Sequence, residues 1–318
     1  MSNVDILLPA FNGADYIGIQ IESIQKQGYT DWKLLIRDDG STDQTVSIIK
    51  EYALQDKRIC LIKDGNESLG VIRNIGCLLE RSGAQYIMLC DQDDVWLPDK
   101  IEKSLNRLLQ MEKDSPGLPQ LVHSDLKVVD RSLKEIAPSF RHFQHLDPAC
   151  SGRINRLLVQ NVAVGCTMIM NRRLVELALP MPEGVLMHDW WIALVACALG
   201  RIGYIHEPTI MYRQHGSNTL GGKRYDMHRI LERLRLSKQV RADFLGTIYQ
   251  AKDLLQAHGS LMDRQKYDLV CRYCKIFDRN RMVRVLDMLR YGFFKTGVFR
   301  NLATAWVLLS QPEAVRSK

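Results

Sequence analysis

The sequence has no apolar run long enough to cross a bilayer. The longest covers residues 190–199, ten residues, about half of what a spanning helix needs. The 291–310 stretch is richer in apolar residues but carries Lys295 and Arg300. No secretion-signal pattern opens the chain, because the first apolar run contains Asp5 and no basic stretch precedes it. Internal repeats and low-complexity segments are absent. The eight cysteines (60, 77, 90, 150, 166, 197, 271 and 274) are scattered, and in a chain of this length without a leader they read as reduced thiols. Cys271 and Cys274 form a lone CxxC with no second pair, which reads as two small apolar helix residues rather than a zinc site. These absences point to a soluble or peripheral cytoplasmic protein. Apolar residues make up 46% and charged residues 25% of the 318, so disorder and coiled coil are excluded as the main class.

Charge and proline divide the chain. Residues 221–318 hold 20 Lys+Arg and 9 Asp+Glu, whereas residues 1–220 hold 23 and 27. The tail therefore nets +11 and the body −4, and only Pro312 of ten prolines lies beyond Pro208. We read an α/β body over 1–220, a boundary in the glycine-rich 216–222 stretch, and a basic helical region over 221–318. In that region Met227, Ile230, Leu231, Leu234, Val240 and Leu245 alternate with basic residues, and Phe293, Phe294, Val298, Leu302 and Trp306 lie among Lys295 and Arg300. Such mixing suits an interfacial helix on anionic lipid; packing on the body or a homodimer is the other reading. No recognition motif accompanies the basic residues, so nucleic acid is not expected.

Strand and helix alternate over the first hundred residues. Apolar runs at 4–9, 33–36, 59–62 and 85–90 have strand character. Ile17, Ile21 and Ile24 recur at helical spacing, Ser41 with Gln44 fits a capping box for a helix to about Asp56, and 69–79 reads as another helix. This alternation implies a mostly parallel sheet with helices on its faces, in which ligands bind at the carboxyl ends of the strands.

Four groups of residues at such ends carry chemistry. Asp38-Asp39-Gly40-Ser41 follows the second strand, where a carboxylate can accept from a nucleobase or ribose, or simply cap a turn. Asp91-Gln92-Asp93-Asp94 follows the fourth. Three carboxylates in four residues repel one another, and Mg²⁺ or Mn²⁺ bridging substrate phosphates relieves that repulsion; an acidic solvated turn is the other reading. His188-Asp189-Trp190-Trp191 opens an apolar helix whose terminal amides hold Asp189 ionised, which suits a general base and equally a plain cap. In Tyr212-Arg213-Gln214-His215, His215 could ligate a metal and Arg213 could face a phosphate. His123, beside Ser124 and Asp125, reads as an acceptor-site border or a structural histidine; His142 and His145 read as loop residues, and Met168 and Met170 as core.

Taken in order with Pro9-Ala10-Phe11-Asn12-Gly13, these groups resemble the family 2 glycosyltransferases, which have the GT-A fold. The resemblance covers about residues 1–220, with 1–100 as nucleotide-binding half and 101–220 as acceptor half. Residues 91–98, 188–191 and 212–218, with 35–43, 125–129 and 186–190, are similar to bacterial rhamnosyltransferases of the α-1,3 type that build streptococcal rhamnose polysaccharides. The resemblance implies that Pro9, Phe11 and Asn12 line the nucleotide pocket, that Asp39 reads the base, and that Arg73 and Asn74 contact the nucleoside. Asp91 and Asp93 match the DxD motif, Asp91 toward ribose and metal and Asp93 on the metal, with His215 as a further ligand. Asp189 matches the catalytic base, with Asp125 the next candidate, and Trp190 borders the substrate. The implied reaction moves an L-rhamnosyl unit from dTDP-rhamnose to a lipid-linked saccharide at the inner face of the membrane. Several members place Glu-Asp where this chain has His188-Asp189, and the processive Gln-x-x-Arg-Trp motif is absent, which favours single additions. Rival readings are a same-fold transferase using UDP-galactose or UDP-N-acetylglucosamine, a metal-dependent hydrolase, and a silent nucleotide-binding scaffold.

Overall fold

The computed structural model describes residues 3–65, 68–215 and 237–310. In chain order the elements are β1 (Val4–Ala10), α1 (Ile17–Gln25), β2 (Trp32–Asp38), α2 (Thr45–Gln55), β3 (Ile59–Leu61), α3 (Gly70–Arg81), β4 (Tyr86–Leu89), β5 (Val95–Trp96) and α4 (Lys100–Asp114). Then come β6 (Gln120–Val129), β7 (Glu135–Ala137), α5 (Phe140–Gln144), α6 (Ile154–Leu157), β8 (Ile169–Asn171), α7 (Arg172–Ala178), α8 (His188–Leu199) and β9 (Arg201–Arg213). Four further helices follow: α9 (Ser237–His258), α10 (Arg264–Cys274), α11 (Arg281–Tyr291) and α12 (Val298–Leu309).

The strands form one mixed sheet in the order β3-β2-β1-β4-β8-β6-β9-β5, with β7 on β6. β1 to β4 are parallel; β8 is antiparallel to both β4 and β6, and β9 runs parallel to β6. Side chains alternate across this sheet and separate two cores. Val4, Ile6, Leu8, Leu34, Ile36 and Met88 join the core under α1, α2 and α4. Leu7, Leu35, Ile87, Leu89 and Met170 join the core under α3, α7 and α8. A sheet buried on both faces explains the near-continuous apolar strands.

The ten-residue apolar run is α8, buried on nearly all sides. Its outer face is covered by the C-terminal helices: Phe244, Ile248, Ala251 and Leu254 of α9 and Val270 and Tyr273 of α10 share its core, as do Phe293, Val307 and Leu308. This corrects part of the lipid-facing expectation. Val240 and Leu245 pack against the core, Phe293 is buried and Phe294 is half-buried against it, whereas Val298, Leu302 and Trp306 are exposed. The 225–236 part of that expectation and the 216–222 boundary lie outside the described residues. Among the described residues no helix is long and apolar enough to cross a membrane.

The capping box is also corrected. α2 starts at Thr45, whose N–H donates to Asp43 at 2.9 Å. The Ser41 hydroxyl is drawn to Asp38 and accepts from the Asn12 N–H at 2.8 Å. His142 lies on the short helix α5 rather than in a loop.

Because the tail shares the body's core, Leu254→Ala, at a fully buried site, should lower unfolding free energy by about 2–5 kcal/mol. Leu302→Ala, at an exposed site, should change it by less than about 0.5 kcal/mol. Urea titrations of the two variants check this; equal effects would mean that the C-terminal helices are not part of the core.

Candidate functional site

The loops after β1, β2 and β4 meet at the carboxyl ends of the parallel strands. Gln92 ties two of them together: its amide nitrogen donates to the Phe11 carbonyl and its amide oxygen accepts from the Phe11 N–H, both at 2.9 Å. A Cβ at Gly13 would meet the Gln92 amide and push this clasp aside. The Asn12 side chain, at φ 46°, accepts from the Thr42 N–H at 2.8 Å, and the Gly13 N–H donates to Thr45 at 2.8 Å. These bonds fix a rim from which the Phe11 ring stands 51% exposed, with Pro9 half-buried below it. An exposed aromatic held at a strand end suits stacking on a planar base.

The acidic cluster follows β4. Burial, then the charges of Asp93 and Asp189, push the Asp91 carboxyl up to about 7. Asp94 is fully buried. Burial and the neighbouring Asp93 and Asp91 raise its carboxyl well above the usual range, against the nearby Cys166 thiol, which favours the charged form of both Asp91 and Asp94. Ligand atoms of Asp91, Asp94 and Cys166 lie within 4.8 Å of one another. Asp93 points instead to His215, with 2.7 Å between its carboxylate and the ring Nε2, and that ring stacks on Tyr16 at 4.7 Å. Carboxylates this close that hold protons this tightly lack positive charge, and their hard oxygens with an imidazole fit Mn²⁺ or Mg²⁺. Asp91 and Asp94 thus meet beside Cys166, while Asp93 turns to His215 yet stays near enough for its charge to raise Asp91.

Asp189 lies in the first turn of α8 and faces the same cluster. The Gly165 N–H donates to its Oδ2 at 3.1 Å. Burial pushes its carboxyl up to about 6, against the N–H groups of Trp190 and Gly165 that favour the charged form. A Cβ on Gly165 would lie 3.2 Å from His188 Nε2 and 3.3 Å from Asp189 Cβ, so this turn admits no side chain without moving the acid. His188 is buried, which lowers its imidazole to about 4 and keeps it neutral.

Other expected residues are placed differently. Asp39 accepts from Arg37 and the Leu69 N–H, both at 2.8 Å, from the Gly70 N–H at 2.9 Å and from Ser68 at 3.2 Å. Its buried carboxylate thus holds the start of α3, and reading a base would require releasing one of these bonds. Arg73 is exposed and pairs with Glu183 at 3.2 Å. Asn74 is buried and donates to the Arg37 carbonyl at 3.3 Å, tying α3 to β2. Arg213 is turned inward: its guanidinium donates to the Asp93 and Arg131 carbonyls at 2.8 and 2.6 Å, so it braces the acidic loop. Asp125 accepts from Ser139 and from the N–H groups of Leu126 and Arg141. Trp190 donates to the Leu157 carbonyl at 2.7 Å. His123 contacts Ser151 at 3.1 Å, and burial lowers its imidazole to about 3, a structural role.

Gln92, Cys166 and Lys100 were not singled out from the sequence. Lys100 is fully buried, with its ammonium 4.7 Å from the Trp96 ring centre; burial pulls it down to about 8, opposed by Asp94 among its neighbours. Two residues after Pro98 it reads as an ordinary surface lysine, and only its place under the cluster shows otherwise.

Folded Asp91 and Asp189 bind protons more tightly than in the unfolded chain. Their stabilising contribution is therefore complete below the ordinary 3.8 and lost as pH rises through about 6 and about 7. In EDTA the melting temperature should fall between roughly pH 5 and pH 8, and Mn²⁺ should restore it at the upper end. A melting temperature that climbs over that window, or ignores Mn²⁺, would contradict the cluster's electrostatics.

The family description "Glycosyl transferase family 2" matches residues 5–176. A putative teichuronic acid biosynthesis glycosyltransferase of Bacillus subtilis is 31% identical over 134 residues, 38% of this chain and 52% of that one. The chain thus spans about half the length of that relative. A dTDP-rhamnosyl transferase, RfbG of Shigella flexneri, is 27% identical over 222 residues, 67% of this chain and 73% of that one. Among solved structures, the mannosyltransferase PcManGT of Pyrobaculum calidifontis, in complex with GDP-Man and Mn²⁺, superposes with a TM-score of 0.56 at 16% identity, over 96% of this chain and 84% of that one. With the family match covering more than half of its residues and the mixed sheet ordered as described, the chain belongs to glycosyl transferase family 2 and has the GT-A fold.

Proposed function

We propose that the protein is a metal-dependent inverting glycosyltransferase that moves an L-rhamnosyl unit from dTDP-rhamnose to a lipid-linked saccharide in cell-surface polysaccharide synthesis, at the cytoplasmic face of the membrane. One observation carries the reaction type. Asp189 lies close enough to Asp91 to raise its proton affinity, which supports reading the first as the base and the second as part of the diphosphate-binding cluster of one site. The rhamnosyl donor is supported by the RfbG similarity, which runs over two thirds of the chain.

Asp189 removes the acceptor hydroxyl proton as that oxygen attacks the anomeric carbon from the face opposite the diphosphate. The new C–O bond forms as the old one breaks, and its electron pair leaves with the diphosphate. A carboxylate at about 6 is ionised at neutral pH yet basic enough to take the proton. Asp91, Asp93 and His215 would hold the cation. When bound, that cation supplies the positive charge that the leaving diphosphate requires. Phe11 offers its ring to the base, Pro9 and Asn12 shape the rim, and the Gln92 clasp keeps the ring in place. Arg213 keeps the Asp93 carbonyl, and with it the acidic loop, in position. The buried neutral His188 packs behind Asp189 and does not compete for its proton.

Asp189→Asn keeps the size of the side chain but cannot accept a proton. Transfer should fall by roughly 10²–10⁴, with donor binding retained. A panel of nucleotide sugars scored by thermal stabilisation, with and without Mn²⁺, should single out dTDP-rhamnose. A preference for a UDP-sugar would replace the donor and leave the reaction type intact. Donor hydrolysis at full rate without acceptor would sink transfer itself, and full activity in EDTA would sink the metal.

A further inference from the structure

We infer that α11 and α12 form an in-plane docking face for an anionic phospholipid bilayer surface. This inference does not depend on which sugar is transferred. Among the described residues, 17 large apolar side chains are exposed, and eight of them lie on these two helices. Exposed apolar residues are usually scattered singly, and a concentration of this kind marks an interaction surface.

The spacing shows how the face is built. Met282, Leu286 and Leu289 recur at i, i+4 and i+7 of α11, with Met282 68% and Leu286 58% exposed. On α12, Val298, Leu302, Trp306 and Leu309 recur at i, i+4, i+8 and i+11, with Val298 71% and Leu302 59% exposed. The opposite sides, Arg284 and Met288 on α11 and Thr304, Val307 and Leu308 on α12, are buried. Both sides of each helix therefore carry apolar residues, and one of those sides has no cover among the described residues.

The pair is held together firmly enough to act as a unit. The Arg284 guanidinium donates to the Leu308 and Ser310 carbonyls, both at 3.2 Å, and to the Phe277 and Arg279 carbonyls at 3.0 and 2.9 Å. That arginine staples the C-terminus of α12 to α11.

Charge selects the occupant. Between residues 278 and 310 there are six basic residues, Arg279, Arg281, Arg284, Arg290, Lys295 and Arg300, against Asp278 and Asp287. Arg279, Arg281 and Arg290 are exposed. A second copy of this chain meeting the same face across a two-fold axis would set these like charges against one another. An anionic surface would neutralise them, at on the order of 1 kcal/mol per basic residue. Trp306, 43% exposed, has the amphipathic ring that concentrates at the membrane–water boundary. Neither helix is long enough to span, at 11 and 12 residues, so the contact lies in the plane of the surface.

The test uses the full chain and vesicles of phosphatidylcholine alone or mixed with phosphatidylglycerol. The protein should float with the mixed vesicles at low salt, release as salt rises, and show quenching of Trp fluorescence by bromine-labelled acyl chains. Combined Leu286→Ser and Leu302→Ser should weaken binding roughly tenfold or more while the melting temperature stays unchanged, because both residues are exposed. Trp306→Phe should abolish most of the bromine quenching without releasing the protein. Equal flotation with neutral and mixed vesicles would overturn the anionic assignment. Wild-type flotation by the double Ser variant would overturn the face. A lipid-free dimer that the double Ser variant converts to monomer, with vesicle binding unaltered, would assign the face to a second copy instead.

Discussion

The structure is organised around four carboxylates, Asp91, Asp93, Asp94 and Asp189, gathered where water is scarce. Burying one anion without a partner is costly, and burying several together adds mutual repulsion. The surrounding sequence relieves this without spending the carboxylates' ligand capacity. The Gly165 N–H and the first turn of α8 support Asp189. The Arg213 N–H donates to Asp94 at 3.2 Å, and the Cys166 thiol reaches Asp94 and Asp91. His215 meets Asp93, and the Lys100 ammonium lies beneath. What remains uncompensated appears as raised proton affinity at Asp91 and Asp189, the demand that a divalent cation and a reacting hydroxyl would meet.

Much of the fold was legible because it follows from periodicity. Apolar strands at 4–9, 33–36, 59–62 and 85–90 and the isoleucines of α1 could be placed without tertiary information, since a strand buried on both faces and a helix with one apolar stripe leave different patterns. The capping box failed because two partners competed for Ser41. Its hydroxyl fits the N-cap pattern, but the loop after β1 comes within reach only in three dimensions, and the Asn12 N–H takes it. The lipid-facing reading of 240–245 failed for a related reason. Apolar residues spaced along a basic helix look the same whether they cover lipid or cover another helix, and here Phe244 and Ile248 cover α8.

In the site, residue type was legible and connection was not. Asp91, Asp93, Asp189 and His215 announced themselves by charge and by position after a strand or before an apolar helix; in the fold Asp189 and Asp93 lie near Asp91 and His215 meets Asp93. Gln92 did not, because a glutamine between aspartates has no signature until the Phe11 backbone lies opposite it. Arg213 and Asp39 were assigned outward-facing roles because charged residues near a ligand site suggest ligand contacts. In the structure both are turned to backbone groups, Arg213 to the Asp93 and Arg131 carbonyls and Asp39 to the amides that start α3. Neighbouring loops without regular pairing need such side chains to satisfy their backbone groups, and that demand cannot be read from one segment alone.

The C-terminal helices gain a role from this arrangement that their charge alone does not suggest. The proposed base lies at the start of α8, and a carboxylate keeps a raised proton affinity only while its surroundings stay dry and fixed. α8 has apolar residues around its whole circumference, including Ile192, Val195 and Ala196, so on a sheet surface alone it would leave an apolar face in water. α9 packs on α8, and α10 joins the same core through Val270 and Tyr273, with Tyr273 tied back to Thr247 of α9 by a 2.6 Å hydroxyl contact. The same layer then turns outward through α11 and α12, whose buried sides continue the core and whose outer sides do not. One block of helices thus packs on α8, the helix that opens with Asp189, while offering the surface that we assign to the bilayer. The two roles are separable by residue: the first belongs to side chains that reach α8, the second to side chains that face away from it.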